Sequence, residues 1–243
     1  IAVVPQNLCC LLPENVSFEE GAYAHLAITS MHALRRAEPV FGEYLLVVGM
    51  GLVGQMAARL GQIAGVYAMG WDMSQFRLDV ARRWGIDGTT LIGTDDAQAK
   101  AKEFTRGYGF DLAVMAFGGD GTKSLEQVNS VMKLSPDTHR MGRIAMVGGL
   151  KTLCGWGAAL GNLDLRCCAR TGPGYHDDAW ELGETSYPAV FMRWTTKTNM
   201  AYALRLMSEG KLDVDSLTTH QVPLADIDEV VTAGATEIWT VTN

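Results

Sequence analysis

The chain has 243 residues, of which 48% are hydrophobic, so it is long enough and apolar enough to build a packed globular core. It carries 20 lysine and arginine residues against 27 aspartate and glutamate residues, a formal net charge of −7. This acidic balance gives no overall attraction to nucleic acid or to an anionic membrane, so small molecules are the expected partners.

The chain begins with short extended pieces, one helix and a β–α unit. The segment "ENVSFEEGA" is typical of a turn into a helix, which we predict from about Phe18 to Arg36. After Pro39, "YLLVVG" at 44–49 is a short continuous apolar run, typical of a strand buried on both faces. A helix is predicted directly after it from the spacing of Val53, Met56, Ala57, Leu60, Ile63 and Ala64.

The same alternation of strand and helix continues to residue 170. The predicted strands are "VYAMGW" (66–71), "TTLIG" (89–93), "FDLAVMAF" (110–117), "RIAMVGG" (143–149) and "LDLRCCAR" (163–170). The predicted helices run from Ser74 to Gly85, from Ala97 to Gly107, and through Leu125, Val128 and Val131 or Met132. Such alternation with few hairpin turns implies right-handed crossovers between parallel strands. We therefore predict an α/β fold with a doubly wound, six-stranded parallel sheet and helices on both faces.

The segment from residue 171 to residue 243 departs from this alternation. It opens with a stretch rich in glycine, proline and aromatic residues. An amphipathic helix that ends at Gly210 is then predicted from Met200, Ala203, Leu204 and Met207. The following "TTHQVPLADIDEVVTA" predicts a strand, a turn and a short helix with Asp226 or Asp228 near its start.

Cysteine usage and the lengths of the apolar runs indicate a cytoplasmic protein. The five cysteines include two adjacent pairs and no C-x-x-C spacing, which fits neither a disulfide framework nor a self-contained zinc knuckle. No apolar run reaches the ~18 residues of a membrane-spanning helix. The first residues also lack the charged region and cleavage site of a secretory signal. We therefore expect a reducing compartment and no membrane partner.

A G-x-G-x-x-G pattern, Gly49, Gly51 and Gly54, joins the first buried strand to its helix. Glycines collect at any sharp turn, so the pattern alone is a weak signal. In this context Gly49 would permit the tight turn, Gly51 the close approach of a pyrophosphate, and Gly54 close packing of helix on strand. Free backbone N–H groups at the start of the helix, at Leu52 and Val53, would face the phosphates.

An acidic residue at the end of the second strand extends this pattern. Asp72 stands where a carboxylate accepts hydrogen bonds from the adenosine ribose, and it would repel a 2′-phosphate, so NAD(H) is favoured over NADP(H). Arg77, in the next helix, would lie along the adenosine. Gly148 is also predicted to be a cofactor-binding residue. The alternatives are a solvated Asp72 that caps the following helix and an Arg77 that is an ordinary surface residue.

An S-adenosylmethionine methyltransferase is the competing interpretation from another class of protein. These enzymes also combine a glycine loop with an acidic residue after the second strand. The sixth predicted strand and the G-x-G-x-x-G spacing argue against this interpretation, because a methyltransferase sheet more often ends in an antiparallel hairpin.

Four stretches resemble zinc-type alcohol and polyol dehydrogenases of the medium-chain dehydrogenase/reductase family. They are "PENVSFEEGAYAHLAITSMHALRRA", "GEYLLVVGMGLVGQMAARLGQIAG", "WDMSQFRLDVARRWGID" and "ALRLMSEGKLDVDSLTTHQVPLADIDEVVTA". The resemblance implies a remnant of a GroES-like catalytic domain with its entry helix at 1–36, an NAD-binding Rossmann domain at 37–170, and a return to the catalytic domain at 171–243.

The resemblance also implies an NAD-dependent enzyme that transfers hydride between a secondary alcohol or polyol and nicotinamide, with zinc polarising the substrate oxygen. His25 falls where the family has a Cys or Glu of the zinc site, and Thr29 where a threonine packs against the nicotinamide. Their i to i+4 spacing places both on one helix face. The family's other zinc ligands have no counterpart here, so the chain is expected to be a C-terminal portion that is catalytically incomplete and does not hold zinc alone.

Enzymes similar to this chain pair through the edge of the nucleotide-binding sheet. An edge strand such as "LDLRCCAR" offers unpaired N–H and C=O groups, so a homodimer or homotetramer is expected. Two further interpretations stay open within the resemblance. One is a zinc-independent quinone or enoyl reductase, which Asp72 disfavours, and the other is a non-catalytic nucleotide-binding fragment.

Overall fold

A parallel β-sheet forms the centre of the structure, a computed structural model that describes residues 3–223, 225 and 239–242. The strands are β1 (Tyr44–Val48), β2 (Tyr67–Asp72), β3 (Gly88–Leu91), β4 (Leu112–Ala116), β5 (Gly119–Asp120), β6 (Met141–Val147), β7 (Leu150–Lys151), β8 (Asn162–Cys168), β9 (His220–Pro223) and β10 (Trp239–Thr242). Six of them form one sheet in the order β3-β2-β1-β4-β6-β8, and every neighbouring pair is parallel. The predicted six-stranded Rossmann sheet is confirmed.

Helices cover both faces of this sheet. They are α1 (Phe18–Ala22), α2 (Ala24–Ala37), α3 (Leu52–Ile63), α4 (Gln75–Arg83), α5 (Ala97–Phe104), α6 (Thr122–Val131), α7 (Asp178–Glu181) and α8 (Thr196–Ser208). Apolar residues of α2, α3, α4 and α8 share one buried cluster with the sheet, and those of α5 and α6 share a second cluster. The doubly wound arrangement is therefore confirmed.

The central strands are apolar throughout because each of their faces is covered. In β1, Leu45 and Val47 belong to the first cluster, whereas Leu46 and Val48 belong to the second. Successive side chains of a strand point to opposite faces, so a strand between two helical layers needs apolar residues at every position. This is the physical basis of the continuous run at 44–49.

The predicted helix from Phe18 to Arg36 is instead two helices that meet at Tyr23. The first begins at a capping box, in which Ser17 and Glu20 bind each other's backbone N–H groups. The Tyr23 side chain is buried, and its hydroxyl lies 2.6 Å from the Thr218 hydroxyl in a hydrogen bond. The second helix continues to Ala37 and ends at Glu38, whose backbone is left-handed.

The carboxyl-terminal segment follows the predicted order as far as it is described. Helix α8 covers the predicted amphipathic helix, and β9 is the predicted strand, paired in parallel with β10. The short helix predicted near Asp226 or Asp228 lies outside the described residues. The division at residues 36 and 170 stays a prediction, although α2 and α8 share one cluster with the sheet. In the part of the chain that is described, no helix has the length and apolar character needed to span a membrane.

Candidate functional site

The glycine loop lies at the carboxyl edge of the sheet, between β1 and α3. Gly49 has φ +90°, a left-handed conformation, and its N–H donates to the Trp71 carbonyl oxygen at 2.8 Å. A Cβ added at Gly49 would lie 2.7 Å from the Ala116 carbonyl oxygen. The loop is therefore confined between the ends of β2 and β4, where only glycine fits.

The other two glycines of the loop differ in what surrounds them. A Cβ added at Gly54 would lie 1.8 Å from the Gly49 carbonyl oxygen, so this glycine lets α3 pack directly on the loop. A Cβ added at Gly51 would have no atom within 4 Å. Gly51 thus borders open space, while Gly54 is required by close contact inside the protein.

The start of α3 presents backbone donors to that open space. Gly51 is the residue that caps the helix, and its carbonyl accepts the Gln55 N–H at 2.9 Å. In an α-helix the N–H groups before this bond, here those of Leu52 and Val53, have no intrahelical acceptor. Gly51 has no side chain to satisfy them, so the positive end of the helix is suited to an anion.

Asp72 closes the loop on the side of β2. Its side chain is buried, with 8% exposure for the residue. One carboxylate oxygen accepts the Met50 N–H at 2.7 Å, and the other accepts the Ser74 N–H at 2.8 Å. Arg77 Nη1 lies 3.6 Å from Asp72 Oδ2 as an ion pair. A carboxylate has about four acceptor positions, so capacity remains for a ligand hydroxyl.

These contacts resolve the alternatives for Asp72 and Arg77 only in part. Asp72 does bind the N–H of Ser74, the N-cap residue of α4, as the helix-capping alternative expects. It is buried rather than solvated, however, and it fixes the glycine loop as well. Arg77 is held beside Asp72, so its guanidinium belongs to this site. A role for either residue toward adenosine stays a prediction.

Gln55 is a buried polar residue of this site that the sequence does not single out. Its Nε2 donates to the Met50 carbonyl at 3.1 Å and to the Arg77 carbonyl at 2.8 Å. The side chain therefore ties the glycine loop to α4 across the start of α3. One signal was present in the sequence: Gln55 interrupts the apolar face of a helix whose neighbours Met56 and Ala57 are fully buried.

Gly148 lies at the same carboxyl edge, directly after β6. Its φ is +90°, and a Cβ added there would lie 3.4 Å from the Phe117 carbonyl oxygen. The loops that follow β4 and β6 are joined by the short parallel pair β5 and β7. Gly148 is thus placed at the correct edge for its predicted role, two strands away from the glycine loop.

His25 and Thr29 lie on α2, which packs along α3. The Ser30 hydroxyl donates to the Val53 carbonyl at 2.8 Å and thereby fastens the two helices together. The Thr29 hydroxyl donates to the His25 carbonyl at 3.0 Å, one turn back on the same face. His25 is exposed, and its ring centroid lies 5.9 Å from that of Tyr175. The turn of α2 that carries Thr29 is therefore held beside the first turn of α3 by the neighbouring Ser30.

The residues that the structure describes do not fit a zinc ion. Within them, no three histidine, cysteine, aspartate or glutamate side chains converge as a metal site requires. A catalytic zinc needs about three protein ligands and one open position. The Tyr175 ring, which lies beside His25, does not complete a set of zinc ligands. That His25 binds a metal stays a prediction.

Comparisons with known proteins agree with this fold. No protein-family model matches the chain. It is 26% identical over 223 residues to erythritol/L-threitol dehydrogenase from Mycolicibacterium smegmatis, covering 88% of this chain and 52% of that protein. It is 28% identical over 228 residues to sorbitol dehydrogenase from Arabidopsis thaliana, covering 90% and 53%. Over the aligned residues the chain is thus similar to polyol and alcohol dehydrogenases.

The match to these enzymes has a definite extent. The chain spans about half the length of the two curated relatives, and it corresponds to their C-terminal part. The solved structure of alcohol dehydrogenase TADH from Thermus sp. ATN1 has the same fold, with a TM-score of 0.71 at 20% identity over 92% of this chain and 57% of that one. The Rossmann arrangement is thus shared with solved dehydrogenases, and the methyltransferase interpretation is disfavoured by the wholly parallel sheet.

Gly54 and Gly51 of the glycine loop predict unequal losses of stability when replaced by alanine. Gly54→Ala forces a Cβ against the Gly49 carbonyl, and we expect it to lower the free energy of unfolding by about 1–3 kcal/mol, as overpacking does. Gly51→Ala meets open space, and we expect a loss below about 1 kcal/mol from the poorer helix cap. Urea unfolding of both variants measures the difference. Equal losses would contradict the close packing of α3 on the loop.

Proposed function

We propose that the chain binds NAD(H) and serves an oxidoreductase that transfers hydride between a secondary alcohol of the polyol kind and the nicotinamide. The geometry of the glycine loop supports the cofactor. The names of the relatives, which are erythritol/L-threitol and sorbitol dehydrogenases, support the class of substrate. A nicotinamide cofactor, when bound, supplies the hydride acceptor or donor of such a reaction.

One observation carries the proposal: a buried carboxylate stands beside an uncapped helix start. Asp72 accepts the N–H of Met50 within the glycine loop, and Gly51 leaves open space over the first N–H groups of α3. A dinucleotide has an anionic pyrophosphate and a ribose with neighbouring hydroxyls. These two groups match a donor-rich helix start and an acceptor-rich carboxylate at the same edge of the sheet.

Each residue of the site has a distinct part in holding the cofactor. The N–H groups of Leu52 and Val53 would bind the pyrophosphate, and Gly51 gives it access to the backbone. Asp72 would accept the ribose hydroxyls, with Arg77 neutralising its charge and covering the adenosine. Gly148 keeps the neighbouring loop close to Phe117 without a side chain. Gly51 would thereby leave the approach to the first N–H groups of α3 open.

Thr29 is proposed as the residue that packs against the nicotinamide. Its helix is fastened to the start of α3 by the Ser30 hydroxyl, so its distance from the glycine loop is fixed by the fold. The Thr29 hydroxyl is already turned back to the His25 carbonyl, which leaves its methyl group for apolar contact. His25, exposed one turn before Thr29 on α2, is proposed to lie on the substrate side of the nicotinamide.

A homodimer or homotetramer is proposed from the edge of the sheet. In the described structure β8 is the last strand of the six and pairs with β6 alone. A parallel edge with unpaired backbone groups is a template for a second copy of the chain. Arg166 forms ion pairs with Asp164 and Glu38 along this strand, so polar groups surround the backbone edge.

The preference for NADH over NADPH tests the placement of Asp72. A 2′-phosphate beside the carboxylate is repelled and loses its hydrogen bond, so we expect NADH to bind at least about tenfold more tightly. Fluorescence titration of both cofactors measures the ratio. Asp72→Asn should reduce the preference, while Asp79→Asn, on the exposed surface of α4, should leave it unchanged. Equal or reversed affinities in the wild-type chain would remove Asp72 from this role and favour the reductase alternative.

A second variant separates cofactor binding from folding. The side-chain amide introduced by Asp72→Asn cannot accept both the Met50 and Ser74 N–H groups, so the unfolding of this variant is measured alongside its affinity. Gly51→Val places a side chain in space that is empty in the protein, so we expect a folded chain that binds neither nucleotide. Unchanged NADH affinity in the Gly51→Val variant would place the cofactor elsewhere and overturn the proposed site.

Zinc content tests the metal prediction for the 243-residue chain. One imidazole without converging partners leaves a metal ion mostly to water, so we expect far less than one zinc per purified chain and negligible oxidation of polyols. Elemental analysis measures the first and NAD reduction the second. His25→Ala should alter neither, and NADH binding should persist in both proteins. One tightly bound zinc per chain that is lost on His25→Ala would contradict the expectation.

The assembly prediction is tested by light scattering at micromolar concentration, with a dimer or tetramer as the expected result. Cys167 is exposed on β8, so Cys167→Lys places a charge on the edge strand and should shift the chain toward monomer. Cys154 is also exposed but lies outside the sheet, so Cys154→Lys is the matched control. A monomeric wild-type chain, or equal effects of both lysines, would count against pairing through β8.

A further inference from the structure

A second cavity, of about 730 Å³, lies between the carboxyl-terminal parts of α2, α3 and α8. Its polar wall consists of three arginines and two aromatic residues: Arg35, Arg193, Arg205, Trp194 and Tyr202. The lining also has an aliphatic wall that includes Leu34, Leu60 and Ile63. The cavity therefore combines cationic and apolar groups, and its volume is that of a site for an organic molecule.

This cavity is separate from the glycine loop. Leu60 and Ile63 belong to the last turns of α3, whereas the glycine loop meets the first turn. A helix of 12 residues is about 18 Å long, so the two sites lie near opposite ends of the same helix. None of the residues assigned to NAD(H) lines the cavity. The two sites are thus chemically independent.

Aromatic rings hold the guanidinium groups in place. The Arg35 guanidinium carbon lies 3.7 Å from the Trp194 ring centroid, and that of Arg193 lies 4.8 Å from the same centroid. Arg205 lies 4.7 Å from the centroid of Tyr202. Stacking on a ring leaves the N–H groups at the edge of a guanidinium able to donate, and it reduces the freedom of a long side chain. The arrangement is therefore preorganised for an oxyanion.

The charges at this cavity are not balanced by the residues that the structure describes. Arg35 donates to the Asn199 amide oxygen at 2.9 Å and to Met31 Sδ at 3.5 Å, both uncharged. Neither Arg35 nor Arg193 is within ion-pair distance of a described carboxylate, whereas Arg205 pairs with Glu209 at 3.2 Å. Of the described residues that line the cavity, none is acidic.

The pKa of Arg35 reflects its burial without a carboxylate partner among the described residues. Burial, with a further contribution from the charge of Arg193, lowers the pKa of Arg35 to about 10. A partly buried cation without an anionic partner is electrostatically unfavourable, and an oxyanion bound in the cavity would relieve it. In a chain with a net charge of −7, such a concentration of unpaired arginines is not a general surface property.

We propose that this cavity binds an amphiphilic organic anion, with a carboxylate or phosphate monoester head on an aliphatic body. Arg35 and Arg193 take the head group, because guanidinium forks match the oxygens of either oxyanion. The aliphatic wall formed by Leu34, Leu60 and Ile63 takes the body. Free inorganic anions would gain only the first of these contacts, and neutral alcohols only the second.

Titration calorimetry of the full chain with octanoate, octyl phosphate and octanol tests the proposal at low salt. We expect both anions to bind at one site and octanol to bind at least tenfold more weakly. Octanoate and octyl phosphate distinguish the two head groups, because tighter binding of the phosphate identifies a dianion site. Octanol that binds as tightly as the anions, or no binding of either anion at millimolar concentration, would overturn the proposal.

Matched arginine variants assign the site. Arg193 is exposed, so Arg193→Gln should fold normally and weaken anion binding about tenfold. Arg205→Gln should have a smaller effect, since Arg205 already pairs with Glu209. Arg82→Gln removes the same charge from the exposed surface of α4, outside the cavity, and should change nothing. Equal losses in Arg193→Gln and Arg82→Gln would show general electrostatic attraction and refute a defined site.

Discussion

The carboxylate of Asp72 accepts one N–H from the glycine loop and another from Ser74, the N-cap residue of α4. A single side chain thus fixes the edge of the sheet where β1 and β2 end. Gln55 joins the same two elements from the other side through the carbonyls of Met50 and Arg77. Side chains thus bind both the N–H and the carbonyl group of Met50 in the glycine loop. The glycines give the loop its path, and these two polar residues keep it rigid before any ligand is present.

The sheet and the loop could be predicted from the sequence because each follows from a local rule. A strand covered on both faces must be apolar at every position, and a helix that packs on a loop carbonyl requires glycine, as at Gly54. The role of Gln55 could not be predicted, because one of its two acceptors, the Arg77 carbonyl, belongs to α4. Tyr23, at the break between α1 and α2, likewise binds Thr218, a partner 195 residues away. The cavity combines Arg35 with Arg193 and Arg205, which only the tertiary fold brings together.

Cofactor binding and metal chemistry make different demands on a chain, and the geometry of the described residues supports a proposal only for the first. A pyrophosphate is held by backbone groups of one helix and a ribose by one carboxylate, all within the β1–α3–β2 unit. A catalytic zinc needs several side chains that converge from separate segments. His25 lies on the correct helix face beside Thr29, yet among the described residues it lacks converging partners. The proposed nucleotide site therefore draws on no group of a metal centre.

The two sites of this chain lie near opposite ends of one pair of packed helices. Helix α2 carries Thr29 and Ser30 toward the glycine loop and Arg35 toward the second cavity, and α3 runs from Gly51 to Ile63 beside it. A ligand at either end stabilises the folded chain by an amount set by its concentration and affinity. Because the sites share no residue, these stabilisations add unless the helix pair itself shifts. Departure from additivity is therefore a direct measure of how rigidly α2 and α3 are packed.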